Sequence, residues 1–281
     1  MNKEMERMLK QISNELNNSS KNELKDKVNK INKGMWGRDT EEDDEARSDD
    51  ILEQAYNADT KMKSKELAKK ALIIYPDNID AMCFLAELEN KDSRKLMAYN
   101  KAIEKSEELL KEYFDDSVGY FWGIIETRPY LRAKAGRVRV FIYMKKYKEA
   151  LTECEDILRL NKDDNMGMRY CLVTLCCYLG EYDKLEKTIK DFNEDTAYVL
   201  FPKTVMYYKQ GNMEKLKEYL KLLNESNKYI INMLIGKEKM LNEIPQYYSL
   251  NSKEEAFFII GDAEYLIEQN PEFIEYLKEN Y

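Results

Sequence analysis

Apolar residues along this chain recur at i, i+3, i+4 and i+7, the spacing that lines one face of a helix. Met5, Met8, Leu9, Ile12 and Leu16 follow it, and Leu24, Val28, Ile31 and Met35 take it up again after the polar break NNSSKN. Residues 1–38 are therefore expected to form an N-terminal pair of amphipathic helices. The pattern then stops at DTEEDDEARSDD, where residues 39–50 hold eight acids and one arginine. Like charges repel and nothing apolar is there to pack, so this stretch reads as an acidic linker.

From Ile51 onward, helical segments of 12 to 16 residues alternate with short polar turns, and some of them repeat. KKYKEALTECEDILRLN (145–161) lines up with GEYDKLEKTIKDFN (180–193) at an offset of 35, and GNMEKLKEYLKLL (211–223) follows at 31. Tyr147 falls over Tyr182, Ala150 over Leu185 and Cys154 over Ile189. Upstream, SKELAKKALIIYPDNIDA (64–81) and KLMAYNKAIEK (95–105) have the look of second helices of hairpins. The array is expected over 51–225, with a long insert at 107–130 and Pro202 kinking a first helix. Residues 226–281 should cap it: Ser252 and Glu255 make a capping box, and Asn270 with Pro271 an N-cap and first-turn proline.

Composition narrows the chemistry. Ten glycines and five prolines in 281 residues leave few helix breakers, which favours an all-α chain. Histidine is absent, and with it go the usual general base and the commonest zinc ligand. Cys83, Cys154, Cys171, Cys176 and Cys177 lie in apolar helical stretches without a CxxC pair, so they read as buried thiols of a reducing, cytoplasmic protein. The longest apolar run, YCLVTLCCYLG, is too short to cross a bilayer. A net charge of −8 disfavours a general nucleic-acid coat. No cofactor or metal is expected.

One stretch departs from the rest. GYFWGIIETRPYLRAKAGRVR (119–139) holds one of two tryptophans and four of ten arginines in a chain that otherwise uses lysine. Arginine offers a planar fork for carboxylates or phosphates and a flat face for stacking, which lysine does not. On a helix over 131–145, Arg132, Gly136, Arg139 and Tyr143 share one stripe between two apolar flanks, which would turn it toward a concave groove. A shift of 35 carries the stripe to Gly167, Cys171, Thr174 and Tyr178. The glycines would permit either a close ligand or close helix packing. The expected peptide-binding residues are Arg128, Arg132, Arg139, Tyr143, Thr174 and Tyr178. Arg128 and Arg169 have a competing structural use: Arg128 could pair with Glu126 or with acids at 115, 116, 163 and 164, pinning the insert with Tyr120, Phe121 and Trp122 as anchors.

The period near 34, the turn K-x-Y-x-E-A and the close A-L-x-x-x-P resemble tetratricopeptide repeats, which implies a right-handed α-solenoid of helical hairpins. GYFWGIIETRPYLRA (119–133), LNKDDNMGMRY (160–170) and the tail 247–277 are similar to phrases of bacterial repeat proteins related to the suppressor-of-tumorigenicity-seven family, with Leu131, Lys162, Asp163 and Met166 departing from the pattern. That resemblance implies a scaffold. The expected function is a protein-interaction adaptor that takes an extended acidic peptide in its groove. Two alternatives are RNA binding through stacked aromatics and arginines, and an enzyme using carboxylates such as Glu126, Asp115 or Asp116. No phosphate loop, HExxH or dinucleotide glycine pattern supports the latter, and no basic recognition helix supports a DNA-binding N-terminus.

Overall fold

The structure, a computed structural model, describes residues 44–281. The expected N-terminal helices over 1–38 and the first part of the acidic linker lie outside them. The described chain is all-helical, with fifteen α-helices and one 3-10 turn. None of these helices is long and apolar enough to cross a membrane. The chain divides into two compact units: residues up to Met144 with Arg159–Asp163, and Lys145–Leu158 with Asp164–Tyr281.

In the first unit the second half of the expected linker is helical, since α1 runs Asp44–Tyr56. Its leading acids, Asp44 and Glu45, suit the positive end of the helix, and Ser48, Leu52 and Ala55 bury a seam at i, i+4, i+7. Of the described acids, Asp44 is exposed and Glu45, Asp49 and Asp50 are half-buried on an amphipathic helix. Helix α2 (Lys61–Ile74) is capped by Thr60, whose hydroxyl accepts from Lys63 N, and offers a seam of Ser64, Ala68 and Ala71. Small residues on both seams let the backbones close up, and the Ser48 hydroxyl donates across to the Ala71 carbonyl at 2.9 Å.

Helix α3 (Ile79–Glu87) starts at Asn78, whose side chain accepts from Ala81 N and donates to Ser48 Oγ and Asp49 Oδ1. One buried amide therefore fixes the start of α3 against α1. Helix α4 (Asp92–Leu109) forms a hairpin with α3, and α6 (Arg128–Tyr143) packs on both. Gly136 of α6 is where α4 comes closest: a Cβ built there would lie 2.3 Å from the Tyr99 ring. Of the two reasons considered for a glycine in this helix, close packing is the one seen.

The insert between α4 and α6 holds the short α5 (Tyr113–Asp116) and a 3-10 turn at Phe121–Gly123. Phe121 is fully buried and meets Phe114 edge-on at 5.2 Å. Thr127 donates its hydroxyl to the carbonyls of Phe121 and Ile124. Gly119 N donates to the Leu160 carbonyl and Lys162 N to the Gly119 carbonyl, tying the insert to 160–162.

The second unit contains the body of α7 (Tyr147–Leu160), then α8 (Met168–Leu179), α9 (Tyr182–Phe192), α10 (Ala197–Lys209) and α11 (Met213–Ser226). Helices α7, α9 and α11 begin at 147, 182 and 213, separated by the 35 and 31 residues of the sequence alignment. Pro202 sits inside α10, fully embedded in its buried face. Gly167 is not within a helix, as the shifted stripe expects; it is the left-handed N-cap of α8, at φ 69°.

Helices α12 (Lys228–Leu234), α13 (Lys253–Asp262), α14 (Glu264–Gln269) and α15 (Pro271–Asn280) follow. Ser252 caps α13 through Glu255 N, while the Glu255 carboxylate accepts from Asn251 N and Asn227 Nδ2 rather than from Ser252 N. Asn270 makes no side-chain cap to α15; its amide turns back to the Leu266 carbonyl. The proline half of that expected signal is present and the asparagine half serves the preceding helix.

Candidate functional site

The six residues expected to bind a peptide fall into both units. Arg128, Arg132, Arg139 and Tyr143 lie on α6 in the first, and Thr174 and Tyr178 on α8 in the second. Arg128 is buried, with Nε donating to the Trp122 carbonyl at 2.8 Å and its guanidinium 5.3 Å from the Trp122 ring. It holds the insert, as one reading of the sequence has it, using the backbone and ring of Trp122. Thr174 is buried and returns its hydroxyl to the Tyr170 carbonyl of its own helix. Tyr178 packs with Tyr147 and Tyr265 at 4.2 and 5.5 Å. Tyr143 is exposed at the end of α6.

Arg132 and Arg139 do what a planar fork does best, toward carboxylates of this same unit. Arg132 Nε and Nη2 donate to the two oxygens of Asp80 at 2.9 and 2.8 Å. Two turns on, Arg139 Nη2 donates to Glu87 at 2.9 Å. Asp80 and Glu87 are seven residues apart on α3, as Arg132 and Arg139 are on α6, so the helices run in parallel and two rungs of opposite charge clip them together. A signal for this existed in the sequence: acid–acid and base–base pairs at i, i+7, offset by 52.

In the second unit, the turn at 164–169 has equally local work. Asp164 sits at φ 46°, with its carboxylate buried against the start of α8. It accepts from Met168 N at 2.7 Å, Arg169 N at 2.9 Å and Arg169 Nη1 at 2.9 Å. Arg169 completes its fork on Glu194 and lies over the rings of Tyr170 and Phe192. The Asp-Asp-Asn-x-Gly turn is thus a helix start with an arginine bolt.

A feature not anticipated by the sequence is a cavity of about 310 Å³ within the first unit, where α1, α3 and α6 begin. Tyr75 and Tyr113 stand on its walls, with Leu109, Ile125 and Pro129 supplying apolar surface. Five carboxylates line it, those of Glu45, Asp49, Asp77, Asp80 and Glu126, against one guanidinium, that of Arg132. Arg132 is engaged by Asp80, and Lys105 reaches Asp77 at 2.9 Å. Asp49 Oδ1 accepts from Asn78 Nδ2 at 3.0 Å. The positions that build it come from segments far apart in sequence, joined by the insert, which is why no local motif announces it.

Comparison with known proteins yields no match to a family model and none to a curated protein. Among the described residues no group of three carboxylates or thiols could hold a metal ion.

Proposed function

We propose that this protein is an interaction module: a scaffold of helical hairpins, tetratricopeptide-like in plan, that receives a segment of a partner on its first unit. The observation that carries this reading is the cavity at the start of α1, α3 and α6, where rings, apolar walls and charged groups converge on rigid helices. The equal spacing of α7 and α9 with their sequence alignment supports the repeat plan. An acidic peptide bound by arginine forks has less support, because Asp80 and Glu87 already accept from Arg132 and Arg139. Four of the five thiols, those of Cys83, Cys154, Cys176 and Cys177, are buried and that of Cys171 is half-buried, which suits a reducing compartment such as the cytoplasm.

A photo-crosslinking residue at Leu109, on the cavity wall, tests this. The expected result is capture of a partner that can be identified, and whose binding in purified form is lost in Leu109→Arg. The same residue placed at Ile73, exposed on α2, serves as control. Identical products from both positions would overturn the proposal.

A further inference from the structure

We propose that Cys154 and Cys171 form a peroxide-responsive dithiol, in which Cys171 is oxidised first and Cys154 then closes on it as a disulfide. All the groups involved belong to the second unit, so the site does not depend on the cavity of the first.

Register brings the two sulfurs together. Tyr147, at the start of α7, packs at 4.2 Å on Tyr178, near the end of α8, as antiparallel neighbours do. A step of seven residues, two turns, along α7 and back along α8 leads from those rings to Cys154 and Cys171. The two thiols are hydrogen-bonded to one another, and that bond, followed by burial, holds the Cys154 pKa well above the ordinary thiol value.

The pair is divided in access. Cys154 is fully buried, whereas Cys171 is half-buried and can meet a small oxidant. A reachable thiol beside a resolving one lets a sulfenic acid pass to a reversible disulfide before it climbs to irreversible acids. The other thiols of the unit are placed differently: Cys177 donates to the Pro202 carbonyl at 3.1 Å, and Cys176 is fully buried.

Tyr265 of α14 points to the same pair. Its ring lies 5.1 Å from that of Tyr147 and 5.5 Å from that of Tyr178. It is 8% exposed, and its hydroxyl has no hydrogen-bond partner among the described residues, an uncommon state for a buried polar group. Burial, and next the Cys171 and Cys154 sulfurs, raise its pKa, which puts the hydroxyl close to the thiols. The oxygen that oxidation adds to Cys171 would give that hydroxyl an acceptor.

Hydrogen peroxide is the oxidant, and the steps balance. The Cys171 sulfur attacks the O–O bond and becomes a sulfenic acid, releasing one water. The Cys154 sulfur then displaces the added oxygen, which leaves with a proton as the second water. Two thiols thereby lose two electrons and two protons, and one peroxide becomes two waters.

The full chain is treated with hydrogen peroxide at neutral pH, quenched, unfolded, alkylated and mapped by mass spectrometry. The expected result is a cross-link between Cys154 and Cys171 that dithiothreitol reverses, with Cys83, Cys176 and Cys177 alkylated as free thiols. Cys154→Ser should halt the reaction at a Cys171 sulfenic acid that dimedone traps. Tyr265→Phe should slow cross-linking about fivefold, the worth of one neutral hydrogen bond; an unchanged rate would overturn the part given to Tyr265. Alkylation of both Cys154 and Cys171 after peroxide, or a cross-link from either of them to Cys176, would overturn the proposal. Should a variant fail to fold, the map of the native chain decides.

Discussion

The two rungs between α3 and α6 should differ in strength, and the difference can be worked from their burial. In the Arg132–Asp80 rung the side chains are 29% and 13% exposed; in the Arg139–Glu87 rung they are 62% and 50% exposed. Exposed pairs measured by double-mutant cycles are worth about 0.2–1 kcal/mol, whereas breaking a buried pair costs about 3–5 kcal/mol. The first rung is bidentate and mostly shielded, so its coupling should be about 2 kcal/mol, and that of the second about 0.5 kcal/mol. Cycles pairing Asp80→Asn with Arg132→Gln, and Glu87→Gln with Arg139→Gln, isolate these terms. The chain has two tryptophans, at 36 and 122, so a Trp36→Phe background leaves Trp122 as a fluorescent reporter inside the first unit. For a urea m-value of about 2 kcal/mol/M, a loss of 2 kcal/mol moves the midpoint by about 1 M. Equal couplings at the two rungs, or a first-rung coupling below about 0.5 kcal/mol, would refute the assignment of Arg132 to an internal clip.

Three further outcomes follow from the packing and the buried groups. Gly136→Ala should destabilise by about 1 kcal/mol, overpacking of about 1–3 kcal/mol exceeding a helix-propensity gain of about 1 kcal/mol; in a Tyr99→Ala background the same change should stabilise, and a sign that does not reverse in urea titration would refute the contact. Asp80→Asn, by removing the carboxylate that takes two bonds from Arg132, should strengthen binding of a glutamate peptide over the native chain, read by titrating the amide signals of the first unit; no gain would show that the fork is held by other groups. Burial pushes the Cys176 and Cys177 thiols up to about 12, so neither should react with a disulfide reagent at pH 8 in the folded chain. Because their folded pKa values are raised, their stabilising contribution is whole below pH 9 and declines as pH rises from about 9 toward 12. Thermal melts across that range should show a smaller decline in the Cys176→Ala, Cys177→Ala variant, and an unchanged decline would refute the assignment.

Much of the helical order was legible because it is local. The capping serine at 252 and the proline at 271 depend on residues within one turn, and the offset of 35 between Tyr147 and Tyr182 on two successive hairpins. What the sequence hid was mostly non-local. The stripe of Arg132 and Arg139 was visible, and so was arginine's suitability for carboxylates, but their partners on α3 lie 52 residues away across an insert that breaks the 35-residue register. The acidic run at 39–50 misled in a different way: its charge count masked Ser48, which together with Leu52 and Ala55 completes the buried face of α1. Gly167 misled because a glycine inside an apolar pattern fits a helix interior and a left-handed cap equally well until the chain direction is known.

The concentration of arginine in this chain therefore has an answer that bears on function. Arg128 holds a carbonyl and an indole ring, Arg132 takes both oxygens of one carboxylate, and Arg169 bridges Asp164 and Glu194. Each contact uses the planar fork, and a lysine at Arg132 could make only one of its two bonds to Asp80. Forks committed inside the molecule no longer set the sign of its recognition surface. The same arginines that suggest an acidic ligand in the sequence are met by Asp80 and Glu87 of this chain, and what they do there is hold α6 beside α3.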